Sequence, residues 1–492
     1  MKHVQKANLS GWVAPILVGI ILYCLTPIRP AGLSAASWQM FAVFVATIVA
    51  CISKPLPIGA VTLTGLVVTV LLGLAPVKDV VDLKTGAVTN QGILSAFGND
   101  ASWLIAMAFI MAYGITKTGL GNRIAYHMIK LFGKRSLGIA YSITGLELVL
   151  GALVPSNSAR TGGIVYPVVK SISTTYGSQP NDPSRKKIGA FLDFVAFQAN
   201  TLSTALFITG AAPNLVAVAG AQQKGYTITW VSWFLAALIP VLVGAIIIPI
   251  IVYKMFPPEI KETPNANSWA QGELDKMGAM SVSEKIMTGT FLLAIVMWIL
   301  SGFPFFAKLP QFSSTFVAFI AVTILLVTRV LSMKDVLGVG GAWNILIWLS
   351  VLVFMANKLT TYGFIGWFAK TISSDLHGMP WGLVLVILLV VYFYAHYFFA
   401  SGTAHVTALY LPFLAVAVAS GAPLALAAML LAFDSAIMSS TTHYANGPAS
   451  ILAASGYVDQ KEWWKSSFIL GLVYMIIFFG LGSIWLKIIG LW

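Results

Sequence analysis

Long apolar runs divided by short polar segments recur along nearly the whole chain. A helix of about 20 apolar residues crosses the hydrocarbon layer of a bilayer. The pattern therefore predicts crossings near 11–28, 38–55, 58–75, 101–117, 188–220, 229–253, 286–303, 313–330, 343–360, 425–456 and 466–486, eleven in all. Two further apolar stretches, 137–175 and 380–420, are broken midway by small polar residues. Each reads as two crossings or as one re-entrant helical hairpin, and either choice leaves the parity of the chain unchanged.

The two breaks carry one pattern. Ser156-Asn157-Ser158-Ala159-Arg160 and Ser401-Gly402-Thr403-Ala404-His405 lie 245 positions apart (401 − 156 = 245), and the same offset relates Trp103 to Trp348, Phe109 to Phe354 and Pro167 to Pro412. A second set follows at an offset of 236, pairing Ala196-Phe197-Gln198 with Ala432-Phe433-Asp434 and Ser203-Thr204 with Ser439-Ser440. In both segments a Gly/Pro interruption comes next, Gly210-Ala211-Ala212-Pro213-Asn214 and Asn446-Gly447-Pro448. Proline removes a backbone donor and frees carbonyls, and broken backbone at membrane depth is tolerated only where it is buried or lines a cavity. Each half thus offers a hairpin tip and an unwound helix to one cavity.

Composition narrows the class. With 58% hydrophobic and 9% charged residues and a mean hydropathy of +0.87, the chain has too little polar surface for a soluble protein. Its net charge of +13 sits in short loops rather than in a nucleic-acid patch. With the N-terminus inside, twenty Lys and Arg fall on the cytoplasmic side and eight outside, Arg160 set apart. Under that orientation the Trp103 helix runs inward and the Trp348 helix outward, so the halves are inverted repeats, a transporter arrangement with its site at the repeat interface. The expected fold is an all-α polytopic membrane protein of eleven transmembrane helices plus two re-entrant hairpins, N-terminus inside and C-terminus outside. Its parts are an N-terminal helix (1–37), a first repeat (38–253, hairpin 137–175), a cytoplasmic linker (254–285) and a second repeat (286–492, hairpin 380–420). The basic N-terminus leads into a retained first helix rather than a signal peptide, and Cys24 and Cys51 carry no disulfide or metal motif.

At each tip the following helix presents unpaired N–H groups and a positive dipole end, which favour a carboxylate. Ser156, Asn157, Ser158, Ser401 and Thr403 add side-chain groups, and Gly402 allows close backbone approach. Arg160 and His405 stand four positions after the first serine of each motif, on the same helix face. An arginine in the hydrocarbon region costs at least ~2.5 kcal/mol, so Arg160 reads as functional, the alternative being a structural ion pair with Glu147 or Asp193. Thr204, Asn214, Ser439, Thr442 and His443 are lesser candidates. Asp434 and Glu147 read as internal partners, and small residues that merely pack helices are the competing explanation for the motifs.

Trp103-Leu104, Lys117-Thr118-Gly119-Leu120-Gly121, both tip motifs, His396-Tyr397-Phe398-Phe399-Ala400-Ser401, Thr441-Thr442-His443-Tyr444 and Gly447-Pro448-Ala449 resemble the divalent anion:sodium symporter superfamily. The likeness is to its citrate, tartrate and plastidic dicarboxylate exchanger branch. The resemblance implies a homodimer, two re-entrant hairpins whose tips bind two carboxylates, and elevator movement of a transport domain against a scaffold. Gly402 stands where sodium-coupled members carry an asparagine that helps hold Na⁺. A guanidinium about 5 Å from a cation would oppose it by roughly 3 kcal/mol at an effective dielectric near 20. An empty site would also carry Arg160 across the membrane as an uncompensated cation, whereas a bound dianion neutralises it. The expectation is therefore a sodium-independent antiporter of dicarboxylates or tricarboxylates (2-oxoglutarate, malate, succinate, tartrate or citrate) in the bacterial plasma membrane. A sodium-coupled symporter of the same fold is the alternative. Membrane lipid and a second copy of the chain are the expected partners; nucleic acid, cofactor and metal are not. An intramembrane hydrolase using Ser156 or Ser401 with His405 or His443 lacks a nucleophile elbow.

Overall fold

The computed structural model describes residues 9–82, 87–154, 156–301, 303–309, 313–376, 378–399 and 401–492. Pro155 and Ala400, which immediately precede the two motifs, lie outside the described residues.

Helix α1 (Val13–Cys24) packs on α2 (Ala35–Ser53), which is followed by α3 (Ile58–Leu71). A short antiparallel pair, β1 (Val80–Val81) and β2 (Val88–Asn90), precedes α4 (Asp100–Thr118) and α5 (Leu120–Phe132). The axes of α4 and α5 differ by 66°. The chain turns there at Gly119, whose φ of 79° suits glycine. Then come α6 (Ser136–Leu153), the single turn α7 (Asn157–Arg160), α8 (Tyr166–Thr175), α9 (Gly189–Leu206), α10 (Ala212–Gln223) and α11 (Trp230–Met255).

After α12 (Asn265–Met277) a similar order returns. Helices α13 (Val282–Leu300), the single turn α14 (Pro304–Ala307), α15 (Ser314–Val327) and the short α16 (Met333–Gly338) lead to α17 (Gly340–Thr361). A glycine with φ of 85°, Gly363, separates α17 from α18 (Phe364–Asp375), as Gly119 separates α4 from α5. Helices α19 (Trp381–Ala395), α20 (Gly402–Ala419), α21 (Leu424–Ile437), α22 (Gly447–Ala453), α23 (Gln460–Met475) and α24 (Gly482–Ile488) complete the chain.

Among the described residues, seven helices are long and apolar enough to cross a membrane, or eight if α4 and α5 form one bent span. Shorter apolar helices accompany them, including α3, α6, α15 and α21 with its following turn. The stretches read as 188–220 and 425–456 are each two helices, parted where the Gly/Pro interruptions stand. Two elements escaped the span pattern because they are too polar on one side: α5, with Asn122, Arg123, His127 and Lys130, and α18. The segment read as a linker folds as α12, which packs on α5 with Trp269 edge-on to Tyr126 at 5.6 Å.

The centre of the molecule is formed by α9 and α21. Every residue of α9 is buried, as is α21 from Leu426 to Ile437. These most enclosed helices are also polar, carrying Asp193, Gln198, Asn200, Thr201, Ser203 and Thr204 on one and Asp434 and Ser435 on the other. Polar groups at such depth are costly and mark a working site. By contrast α1 exposes Val13, Ile16, Leu17, Ile20 and Ile21, a face suited to lipid.

Candidate functional site

Both tips are built the same way. Ser156 is the N-cap of α7, its Oγ accepting from the Ala159 N–H at 3.2 Å, and Ser401 is the N-cap of α20, accepting from the Ala404 N–H at 3.4 Å. Asn157 Oδ1 accepts from the Ser158 N–H at 2.9 Å. A serine at this position satisfies a backbone donor that the first helical turn leaves free, which is why each motif begins with serine.

Each tip abuts the broken helix of the other half. A Cβ placed on Gly447 would overlap Ser158 Oγ, so Gly447 admits the first tip. A Cβ on Gly402 would lie 3.3 Å from Pro213 Cγ and 3.8 Å from Met438 Cε, so Gly402 lets the second tip close on the first broken helix. The two broken helices touch where Thr201 Oγ1 lies 3.4 Å from Ser439 Oγ. Asn214 donates to the carbonyls of Thr204 (2.8 Å) and Phe207 (2.9 Å), capping the end of α9 with the amide expected to face substrate. Several buried atoms around these breaks have no partner among the described residues: Thr204 Oγ1, Asn214 Oδ1, Ser440 Oγ and Thr442 Oγ1. An unpartnered buried polar group costs about 1–3 kcal/mol, so this set suits a polar ligand.

Arg160 is fully buried, and Glu147 holds it. Its Nε donates to Glu147 Oε2 at 2.6 Å and its Nη1 to the Val154 carbonyl at 2.7 Å, while Nη2 has no partner among the described residues. Asn200 donates to both oxygens of the Glu147 carboxylate (3.4 and 3.3 Å) and to Thr161 Oγ1 (3.1 Å). The expectation of an uncompensated cation is thereby corrected: Glu147, one helical arm away, cancels the charge. Buried guanidinium needs such a partner to offset desolvation. The Nη2 amino group of Arg160, with its two N–H bonds, remains to meet an anion.

His405 has no acid beside it. Its Nδ1 lies 3.3 Å from His396 Nδ1, and His396 Nε2 lies 3.0 Å from the Ala445 carbonyl. A carbonyl only accepts, so His396 Nε2 carries the proton and its Nδ1 accepts from His405 Nδ1–H. His405 Nε2 is then a bare lone pair, buried and without a partner among the described residues. Rings of Tyr392 (4.4 Å) and Phe399 (4.8 Å) enclose it. The fold places His396 against His405, which the motif alone did not indicate. Tyr392 lies against it too, and its signal was present: it stands 245 positions after Glu147, so in both halves the fifth motif residue meets the same place on the preceding arm.

The His443 Nδ1 accepts from Trp464 Nε1–H at 2.9 Å, and His443 lines a cavity of about 330 Å³ with Tyr444, Ser450 and Trp463.

The family described as the sodium:sulfate symporter transmembrane region matches residues 6–492. The chain is 41% identical to the spinach protein named dicarboxylate transporter 1, chloroplastic, over 99% of this chain and 83% of that one. It is 35% identical to the citrate/succinate antiporter of Escherichia coli K12 over 96% of each. Among solved structures, the YdaH transporter of Alcanivorax borkumensis shares the fold, with a TM-score of 0.55 and 11% identity across 92% of this chain and 98% of that one. The chain therefore belongs to the divalent anion:sodium symporter family, in its dicarboxylate and citrate branch, and is a polytopic membrane transporter rather than an enzyme.

Proposed function

We propose that this protein exchanges dicarboxylates or tricarboxylates across the bacterial plasma membrane without sodium. The observation that carries the reading is the meeting of two serine-capped tips, each against the broken helix of the other half, at buried groups lacking protein partners. Relatives named as a dicarboxylate transporter and a citrate/succinate antiporter support the substrate class and the exchange. One carboxylate sits at the first tip on the Asn157 N–H, against Ser156 and Ser158, with Arg160 Nη2 beside it; the Ser158 and Ala159 N–H groups are already held by the side chains of Asn157 and Ser156. The other sits at the second tip on the N–H groups of Gly402 and Thr403, with Ser401 and His405 beside it. Thr204, Ser439 and Thr442 face the space between. The architecture is an inverted repeat of eleven spans and two re-entrant hairpins, N-terminus inside, working as a homodimer by elevator movement.

His405 takes a defined part. Its Nε2 lone pair repels a carboxylate until it gains a proton, so anion binding brings a proton onto His405. A substrate hydroxyl donating to that lone pair is the neutral equivalent.

Sodium independence rests on Gly402. Pro213 leaves little room for a larger side chain there, so the amide that holds Na⁺ in coupled relatives has no counterpart. One observation favours the other reading, a sodium-coupled symporter: Glu147 neutralises Arg160 and with it most of the field that would repel a cation.

Counterflow of labelled succinate into proteoliposomes loaded in turn with malate, 2-oxoglutarate, tartrate, succinate or citrate tests the substrate class. At least one of these should drive accumulation, and Thr403→Val should raise the KM about tenfold, the value of a lost bond to a charged group. Failure of every member of the panel would remove the proposal.

A further inference from the structure

Away from the tips, at the end of α10, lies a cavity of about 480 Å³ whose walls are polar. Gln223 of α10, Asn357, Lys358 and Thr360 of α17 and its end, and Thr89 and Asn90 of the β2 segment line it. Lys358 is 3% exposed. Its ammonium donates to Asn90 Oδ1, a neutral partner, and lies 5.4 Å from the centre of the Phe354 ring. No acidic residue lines the cavity among the described residues. Asp79, which stands shortly before the β1–β2 pair, has its Oδ1 engaged by the Gly92 N–H at 2.7 Å. A buried ammonium held by amides and an aromatic face, with hydroxyls and amides opposite, offers an anion charge and hydrogen bonds together.

The position of this cavity is as informative as its chemistry. Gln223 ends the helix that starts at Ala212-Pro213, where the second tip closes. Between the two runs a seam in which Val216, Ala219 and Gly220 of α10 face Leu352, Val353 and Ala356 of α17, with only about 20 Å³ free. Thr360 Oγ1–H donates to Gln223 Oε1 at 3.1 Å across the top of that seam. The cavity therefore lies at one end of this apolar seam.

We infer that this cavity is a second carboxylate-binding site, in which Lys358 captures the dicarboxylate before the seam opens and passes it to the tips. The inference rests on the dicarboxylate reading above. A cation inside a concave, low-dielectric mouth concentrates anions and raises their association rate, so Lys358 acts on capture and not on the translocation step.

The test is succinate exchange by wild type, Lys358→Gln and Lys358→Arg in proteoliposomes, with KM and kcat measured separately for each membrane face at low and high ionic strength. Lys358→Gln should raise the KM about tenfold on one face only, leave kcat within about twofold, and flatten the salt dependence on that face; Lys358→Arg should restore all three. An unchanged KM, an equal rise on both faces, or a fall in kcat that arginine does not restore would each overturn the inference. Should Lys358→Gln fail to fold, Asn357→Ala and Gln223→Ala take its place: a KM rise on that same face supports the site and an unchanged KM overturns it. An active wild type with unaltered variants sinks only this site, whereas a wild type that exchanges no dicarboxylate sinks the transport reading with it.

Discussion

At the scale of single residues, the pairing of Arg160 with Glu147 reverses what the isolated arginine suggests. Removing one member of a buried ion pair leaves the other charged and unpartnered, at about 3–5 kcal/mol. Arg160→Ala should therefore lower the thermal unfolding temperature of the detergent-solubilised protein strongly, and Arg160→Gln with Glu147→Gln should recover much of it. A variant Arg160→Ala as stable as wild type would show that the pair contributes nothing. His405 makes a pH prediction whose sign follows from its free lone pair: proton uptake accompanies carboxylate binding, so the KM should fall as pH falls. His405→Asn should flatten the profile in stopped exchange assays. The motif sequence made both basic residues visible, but not their partners. Glu147 lies 13 positions before Arg160, on the other arm of the hairpin, and only the fold of that hairpin brings them together. His396 was obscured because its role depends on a carbonyl, Ala445, that carries no side-chain signature.

The interrupted elements belong to the next scale. Serine caps and Gly/Pro interruptions announce their breaks in the sequence because local backbone chemistry demands those residues. Their mutual placement is tertiary and was not legible: nothing in Gly447 or Ser158 alone says that they touch. That contact is testable by cross-linking. With Cys24 and Cys51 replaced, Ser158→Cys with Gly447→Cys should form a disulfide on mild oxidation once the tip moves back by about 0.5–1 Å, since a Cβ on Gly447 would lie 3.0 Å from Ser158 Cβ and a disulfide spans roughly 3.5–4.5 Å. Succinate between the tips should slow the reaction, and reduction should restore exchange. No cross-link under oxidising conditions would place the tip elsewhere. Helices α5, α12 and α18 escaped reading for a different reason: apolar on one side only, they fall below the threshold for a crossing although they pack on the spans. The β1–β2 pair is too short to carry a periodic signal.

For the whole molecule, the doubled order of elements was the most legible feature, since an offset of 245 recurs in residues far apart. Charge bias between loops supplied an expected orientation, and the proposed elevator movement and dimer come from the family resemblance. The electrostatic reason for obligatory exchange is lost with the neutralised Arg160, so the proposed exchange now stands on the antiporter relative and the proposed sodium independence on Gly402. Uptake of labelled succinate into proteoliposomes, with and without internal dicarboxylate and with and without an inward Na⁺ gradient, measures this directly. The account predicts uptake only when the vesicles are loaded with dicarboxylate, at a rate that Na⁺ does not change. Uptake into unloaded vesicles driven by Na⁺ would contradict it.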